Sequence, residues 1–259
     1  MLSECYGKQW TLSRGERMSL GLASDSTVLQ RREFRVPHPP IRLALFLTLE
    51  EAIAVAWRWL HSESWEGFDL ARAGEVDYTA ALHIILQDHL LGNEVVDGFT
   101  HESFRSIERI ETVNFDGTRK SKRPDLVAFL SIRPTTQPSQ DGIFIECKPV
   151  DDAHSLLTDY CDAGIARFIV GDYAWAMTEA LMVGYNTAYD KPSVALGKPF
   201  EQRLNEVRAI GKPRDCNRSS HNPPVAITRH KRDFPLRGRL APPINLRHLW
   251  LAAPGGSFP

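Results

Sequence analysis

The sequence predicts an α/β domain of the α+β kind, in which a mixed central β-sheet is flanked by helices. Three observations carry this. Residues 123–150, RPDLVAFLSIRPTTQPSQDGIFIECKPV, hold two apolar runs joined by a loop rich in Pro, Thr, Ser and Gln, the pattern of a β-hairpin with a long connection. Residues 75–91 place Tyr78, Leu82, Ile85 and His89 at i, i+4, i+7 and i+11, a stripe along one face of a helix. Residues 179–186, EALMVGYN, form a further apolar run suited to a buried strand.

In chain order, residues 1–47 read as an N-terminal arm. Polar stretches there lead into LQRREFRVPHPPIRLALF, where Pro37, Pro39 and Pro40 break any helix. Thr48, followed by Glu50 and Glu51, predicts a helix start, because a Thr cap and first-turn acids both satisfy free amide groups. That helix runs to about residue 61. The second helix, 75–91, ends at Gly92 and Asn93. Residues 108–115 are extended, and Asp116-Gly117 supplies a tight turn before the basic run TRKSKR and the hairpin. Beyond Val150, Asp151 and Asp152 start a short helix through Cys161, and GDYAWAM at 171–177 reads as a helical turn or more. The strand 179–186 closes a core spanning 48–190. Residues 191–259 read as a C-terminal extension packed on that core, with a helix over 200–210 and two short strands, 225–230 and 245–251.

Composition bounds the function. With 42% hydrophobic residues the chain can fill a core, and its net charge of −1 is near neutral. That figure hides an asymmetry, since residues 201–259 carry eleven Lys and Arg against four acids, a local +7 that suits an anionic partner or a solvated tail. Cys5, Cys147, Cys161 and Cys216 show neither a CxxC pair nor close spacing with His, which argues against a disulfide framework or structural zinc. No stretch reaches the roughly 18–20 apolar residues of a membrane span, and the first residues lack a signal-like apolar run. A reducing, cytoplasmic setting with no membrane partner is therefore expected.

The hairpin carries charge where a core strand should not. Asp125 opens one apolar run, and Glu146 and Lys148 close the other. Side chains alternate along a strand, so Glu146 and Lys148 share a face with Cys147 on the opposite one, and pairing of the two runs brings Asp125 beside them. Buried charges need partners or a metal, and two carboxylates beside a lysine suit an oxygen-seeking cation such as Mg²⁺ or Mn²⁺. A structural ion pair within the sheet has the same residue types.

Pro124-Asp125, followed after an apolar hairpin by Glu146-Cys147-Lys148, resembles the signature of the PD-(D/E)xK phosphodiesterase superfamily, over about 120 residues from Glu75 to the strand at 179–186. The resemblance implies a restriction-endonuclease-like core and a Mg²⁺-dependent endonuclease acting on double-stranded DNA. It implies that Asp125 and Glu146, with the backbone carbonyl of Cys147, ligate the metal and that Lys148 assists the attacking water or the developing oxyanion. Glu75 joins them as a helix-borne acid, or merely complements its helix dipole, with Asp77 as the weaker substitute. Arg119, Lys120, Lys122 and Arg123 flank the catalytic strand as phosphate contacts, or form a solvated loop, and Arg167 faces the substrate backbone or pairs with Asp162 or Asp172. Tyr160, Tyr173 and Trp175 read as core residues, and His230 and His248 as packing or phosphate contacts. A double-strand cut with one site per chain is easiest for a homodimer. The competing readings are a catalytically inactive nucleic-acid-binding or interaction module on the same fold, and a nuclease for RNA or single strands.

Overall fold

An apolar stripe at helical spacing begins the ordered chain. In the computed structural model, helix α1 (Leu43–Leu60) buries Phe46, Leu49, Ile53, Trp57 and Leu60 along one side. It starts five residues before Thr48, because the stripe extends back through Phe46 once Pro39 and Pro40 are cleared, so the boundary expected at residue 47 falls inside a helix. The structure describes residues 36–62, 68–69, 72–131, 133, 138–150, 154, 156–185, 214–216 and 225–251. All of these belong to one compact unit, Phe34–Pro259. Most of the expected arm and the helix expected over 200–210 lie outside the described residues.

Helix α2 (Glu75–Ile84) continues into a wider π-helical stretch, Ile85–Leu90. A π turn takes more residues than an α turn, so it rotates the stripe. Tyr78, Leu82 and Ile85 are buried as expected, but Leu86 and Leu90 carry the face onward and His89 is exposed.

Strands β1 (Phe104–Glu108), β2 (Leu126–Leu130), β3 (Gly142–Pro149), β4 (Glu179–Tyr185), β5 (Arg214–Cys216), β6 (Val225–His230) and β9 (Ile244–Leu251) form one sheet in the order β1-β2-β3-β4-β9-β6-β5. A small separate hairpin pairs β7 (Pro235–Leu236) with β8 (Arg239–Leu240). The sheet is mixed: β1, β2 and β3 are antiparallel neighbours, β3, β4 and β9 run parallel, and β6 and β5 reverse again. The parallel crossover from β3 to β4 is made by a π-helical segment, Leu156–Ile165, running into the short α3 (Ala166–Ile169). Strands β2 and β3 are buried along their whole length, as their unbroken apolar runs require of strands covered on both faces.

The extended run expected at 108–115 is a strand only up to Glu108. Beyond it, a single bridge joins Thr112 to Lys122 around the Asp116-Gly117 turn. The segment 171–177 makes one turn, Met177 N–H to Ala174 C=O at 3.0 Å, and no helix. Gly171 (φ +71°) and Ala174 (φ +52°) take left-handed backbone that a helix cannot use. The two strands expected near the C-terminus, seen here as β6 and β9, are members of the central sheet, so the core draws on the chain well beyond residue 190.

Helices cover both faces. Registers set Ile145, Leu181 and Arg247 side by side, and next to them Glu146, Met182 and His248, so the two rows face opposite ways. Glu50 of α1 meets Arg247 in a buried two-pronged ion pair, with Arg247 Nη2 to Glu50 Oε2 at 3.1 Å. On the other face Tyr160, in the π-helical segment, shares a hydrogen bond of 2.9 Å with His248 Nδ1, and Thr228 links His248 to His230 at 2.7 Å each. Both histidines are fully buried packing residues. No helix among the described residues is long and apolar enough to cross a membrane.

Gly184 pairs with both Lys148 and Trp250, and a Cβ there would drive into the six-membered ring of Trp250. A tryptophan stacked on Tyr160 cannot step aside. Gly184→Ala is expected to lower stability by about 1–3 kcal/mol in denaturant unfolding. Combining it with Trp250→Leu should recover part of the loss, and no recovery would count against overpacking as the cause.

Candidate active site

The antiparallel register Leu126↔Ile145 sets the site. Continued by one residue, it brings Asp125 opposite Glu146 on one face of the β2–β3 pair. Asp125 Oδ2 accepts the Cys147 N–H at 2.7 Å, so its side chain takes over where the β2 backbone stops supplying acceptors. Pro124, just before, has no N–H to offer a ladder.

Glu146 is fully buried. Its Oε2 accepts a hydrogen bond from the Tyr173 hydroxyl. Its Oε1 lies 3.2 Å from both Lys148 Nζ and Arg167 Nη1 but in line for a hydrogen bond with neither, so these contacts are Coulombic. Lys148 Nζ donates to Glu75 Oε1 at the first turn of α2. The structure therefore brings Asp125, Glu146, Lys148, Glu75 and Arg167 together. Glu75 reaches the pair of acids through Lys148, and Arg167 pairs with Glu146. Asp77 is taken up by the helix start, where it accepts the Gly74 N–H at 2.9 Å. Gly164 lets the crossover helix lie against the Lys148 stem and Met182, closing the site from one side.

The electrostatics follow from burial. Removal from water, and then the charge of Asp125, push the Glu146 carboxyl up to about 7, against the lowering by Lys148, Arg167 and the Tyr173 hydroxyl. Asp125 is also raised, mainly by burial. Burial alone would lower the Lys148 ammonium, but Glu146, Glu75 and Asp125 together lift it above its ordinary value, so it stays charged. Burial and the Glu146 charge hold the Tyr173 hydroxyl well above its usual range, leaving it a proton donor. Cys147 points into the opposite face, where burial keeps its thiol protonated. Only its backbone carbonyl is suited to a cation.

Tyr173 is buried as a core residue, edge-on to Phe168 at 5.0 Å, yet it also holds Glu146, a role that nothing in its local sequence announces. Its loop is braced throughout. Gly171 C=O accepts from Phe115 N–H at 3.0 Å, Trp175 Nε1 donates to Val113 C=O at 3.0 Å, and the buried Arg232 donates to the carbonyls of Ala174 and Trp175. The basic run lies alongside. Arg119 and Lys122 both pair with Asp172, Arg123 pairs with Glu111, and Lys120 is exposed.

Among the described residues no three His, Cys, Asp or Glu side chains gather closely enough to hold a metal ion. Asp125 and Glu146 are nonetheless oxygen donors of the type that a hard divalent cation takes. Mg²⁺ is ordinarily held by one or two carboxylates together with water and substrate oxygens. Glu146 Oε1 is a buried oxygen with no hydrogen bond among the described residues. When Asp125, Glu146 and Glu75 are all ionised, they exceed Lys148 and Arg167 by one negative charge.

No family model, curated protein or solved structure was found to match this chain.

Because the Glu146 pKa is raised on folding, its contribution to stability is fully present below about pH 4.5 and is lost as the pH climbs through about 7. Glu146→Gln, which keeps the shape without the charge, should exceed wild type in stability above pH 7 by roughly 3 kcal/mol at most, with the gap closing toward pH 4.5. Thermal melts across that range measure it. A variant less stable than wild type at pH 8 would contradict the assignment.

Proposed function

We propose that the protein is a divalent-metal-dependent phosphodiesterase, an endonuclease acting on DNA. The observation that carries this reading is the juxtaposition of Asp125 and Glu146 across the β2–β3 pair, with Lys148 charged beside them and a basic loop at the entrance. The order of elements also supports it: a helix bearing Glu75, three antiparallel strands, a helix and a parallel strand follow the sequence that the PD-(D/E)xK resemblance calls for.

In this reading Asp125 and Glu146, with the Cys147 carbonyl, hold Mg²⁺ or Mn²⁺. The bound cation supplies polarisation of the scissile phosphate and a more acidic water. Lys148, oriented by Glu75, offers its two remaining N–H groups to the charge that develops on phosphate oxygen, in a site where burial makes such a donor effective. Tyr173 fixes the rotamer of Glu146. Arg167, half-exposed, presents its outer N–H groups to the substrate backbone.

A second reading rests on the same cluster. Lys148, Glu75, Glu146 and Arg167 are mutually paired, as they would be in a protein that keeps the fold to bind nucleic acid without cutting it. Metal binding separates the two. Calorimetry is expected to detect Mg²⁺ or Mn²⁺ binding by the wild-type protein and none by Asp125→Ala. Supercoiled plasmid should be nicked or linearised in the presence of either ion, with Asp125→Ala and Lys148→Ala slower by about 10²–10³. Duplex, single-stranded and RNA substrates run in parallel set the preference. Cleavage that survives both substitutions unchanged would exclude this site, and folded protein that binds no divalent ion would favour the non-catalytic module.

A further inference from the structure

The basic loop and the carboxylate site are joined by two consecutive residues. Tyr173 donates to Glu146, and the preceding residue, Asp172, lies under Arg119 and Lys122. Asp172 Oδ1 is 2.8 Å from Arg119 Nη1, and Asp172 Oδ2 is 3.0 Å from Lys122 Nζ. The Asp172 side chain is only 9% exposed, whereas those of Arg119 and Lys122 are 46% and 30% exposed. One buried carboxylate thus sits beneath two outward-facing cations, and one positive charge remains in excess at the surface.

Each partner is pinned by its own backbone. Arg119 N–H donates to Asn114 Oδ1 at 2.9 Å, and Arg119 C=O accepts from Asn114 N–H at 3.1 Å. Lys122 exchanges both backbone hydrogen bonds with Thr112, at 2.7 and 2.9 Å. The turn between them is closed by Asp116 Oδ1, which accepts from both the N–H and the hydroxyl of Thr118. Asp172 itself is set at the end of α3 by its N–H to the Arg167 carbonyl, 3.0 Å. The two cations are therefore held at a fixed separation, with their free donors outward.

We propose that Asp172 is a positioning residue for nucleic-acid binding, holding Arg119 and Lys122 as a preformed clamp for the phosphate backbone of a DNA duplex. This rests on the nucleic-acid reading above and deepens it by naming what organises the contact. A cation already ordered loses little side-chain freedom when a phosphate arrives, and that saving appears as affinity. The linkage through Tyr173 keeps the clamp in register with Glu146, so that a bound strand lies at a set distance from the acids.

The test turns on a conflict of sign. Removing an acid from beside phosphate-binding cations should tighten binding if only net charge matters. Removing a positioning residue should weaken it. Binding of a labelled DNA duplex is measured in EDTA, so that the strand stays intact, for wild type, Asp172→Ala, Arg119→Ala/Lys122→Ala and the combined triple variant, each checked by thermal melting. Asp172→Ala is expected to weaken binding about fivefold or more, with Asp172→Asn, which keeps one acceptor oxygen, in between. In the Arg119→Ala/Lys122→Ala background the same change should have no effect. Binding by Asp172→Ala equal to or tighter than wild type overturns the clamp alone. A loss that persists in the background lacking both cations also overturns it, since Asp172 would then act through the fold. Wild-type protein that fails to bind the duplex overturns the nucleic-acid reading and the clamp with it.

Discussion

The register of β2 against β3 is the constraint on which the rest of the site depends. Leu126 opposite Ile145 places Asp125 across from Glu146, and a slip of one residue would turn Asp125 to the other face, into an apolar interior. The pairing is held by the apolar residues on both faces of both strands, every one of them buried. The bond from Cys147 N–H to Asp125 Oδ2 then closes the ladder with a side chain. Packing of hydrophobic side chains therefore sets the position of two acids, one buried and one half-buried, that hydrophobicity alone would never draw in.

That placement is costly, and the surrounding structure is arranged around the cost. Glu146 is shut off from solvent and receives Lys148, Arg167 and Tyr173 instead, one from its own strand, one from the crossover helix and one from the loop after it. The segment carrying Tyr173 is itself strained, since Ala174 takes a left-handed conformation at a cost of about 1–2 kcal/mol. Arg232, buried beneath it, bonds the Ala174 and Trp175 carbonyls, and Phe115 stacked on Phe234 at 4.5 Å packs the far side. Stability is given up at Glu146 and recovered in its supports.

Much of this was legible in the residues, and what was hidden was hidden for a physical reason. Period-two alternation is local, so the shared face of Glu146 and Lys148, and the opposite face of Cys147, could be read directly. Strands β4, β6 and β9 announced themselves as short apolar runs between polar loops. Thr48 has the signature of a helix cap, but an apolar stripe continuing back to Phe46 outweighed it. His89 fits an α-helical stripe and falls outside a π-widened one. Glu50, Asp172 and Tyr173 were unreadable in their roles because their partners lie far along the chain, and an acid, or a tyrosine after a helix, looks the same locally whether it is solvated, packed or paired. The central place of β9 in the sheet was hidden in the same way, since sheet order is settled by long-range pairing.

The outer strand β1 bears on how two copies could meet. The backbone of Ile107 that faces away from β2 is already satisfied by α2 and the π turn that follows it: Gln87 Oε1 accepts its N–H at 2.7 Å, and the His83 ring bonds its carbonyl at 3.0 Å. An exposed strand edge is a template for a foreign strand, and here its middle is blocked by side chains from the same molecule. Continuous sheet growth from one protein to the next is thereby obstructed along β1.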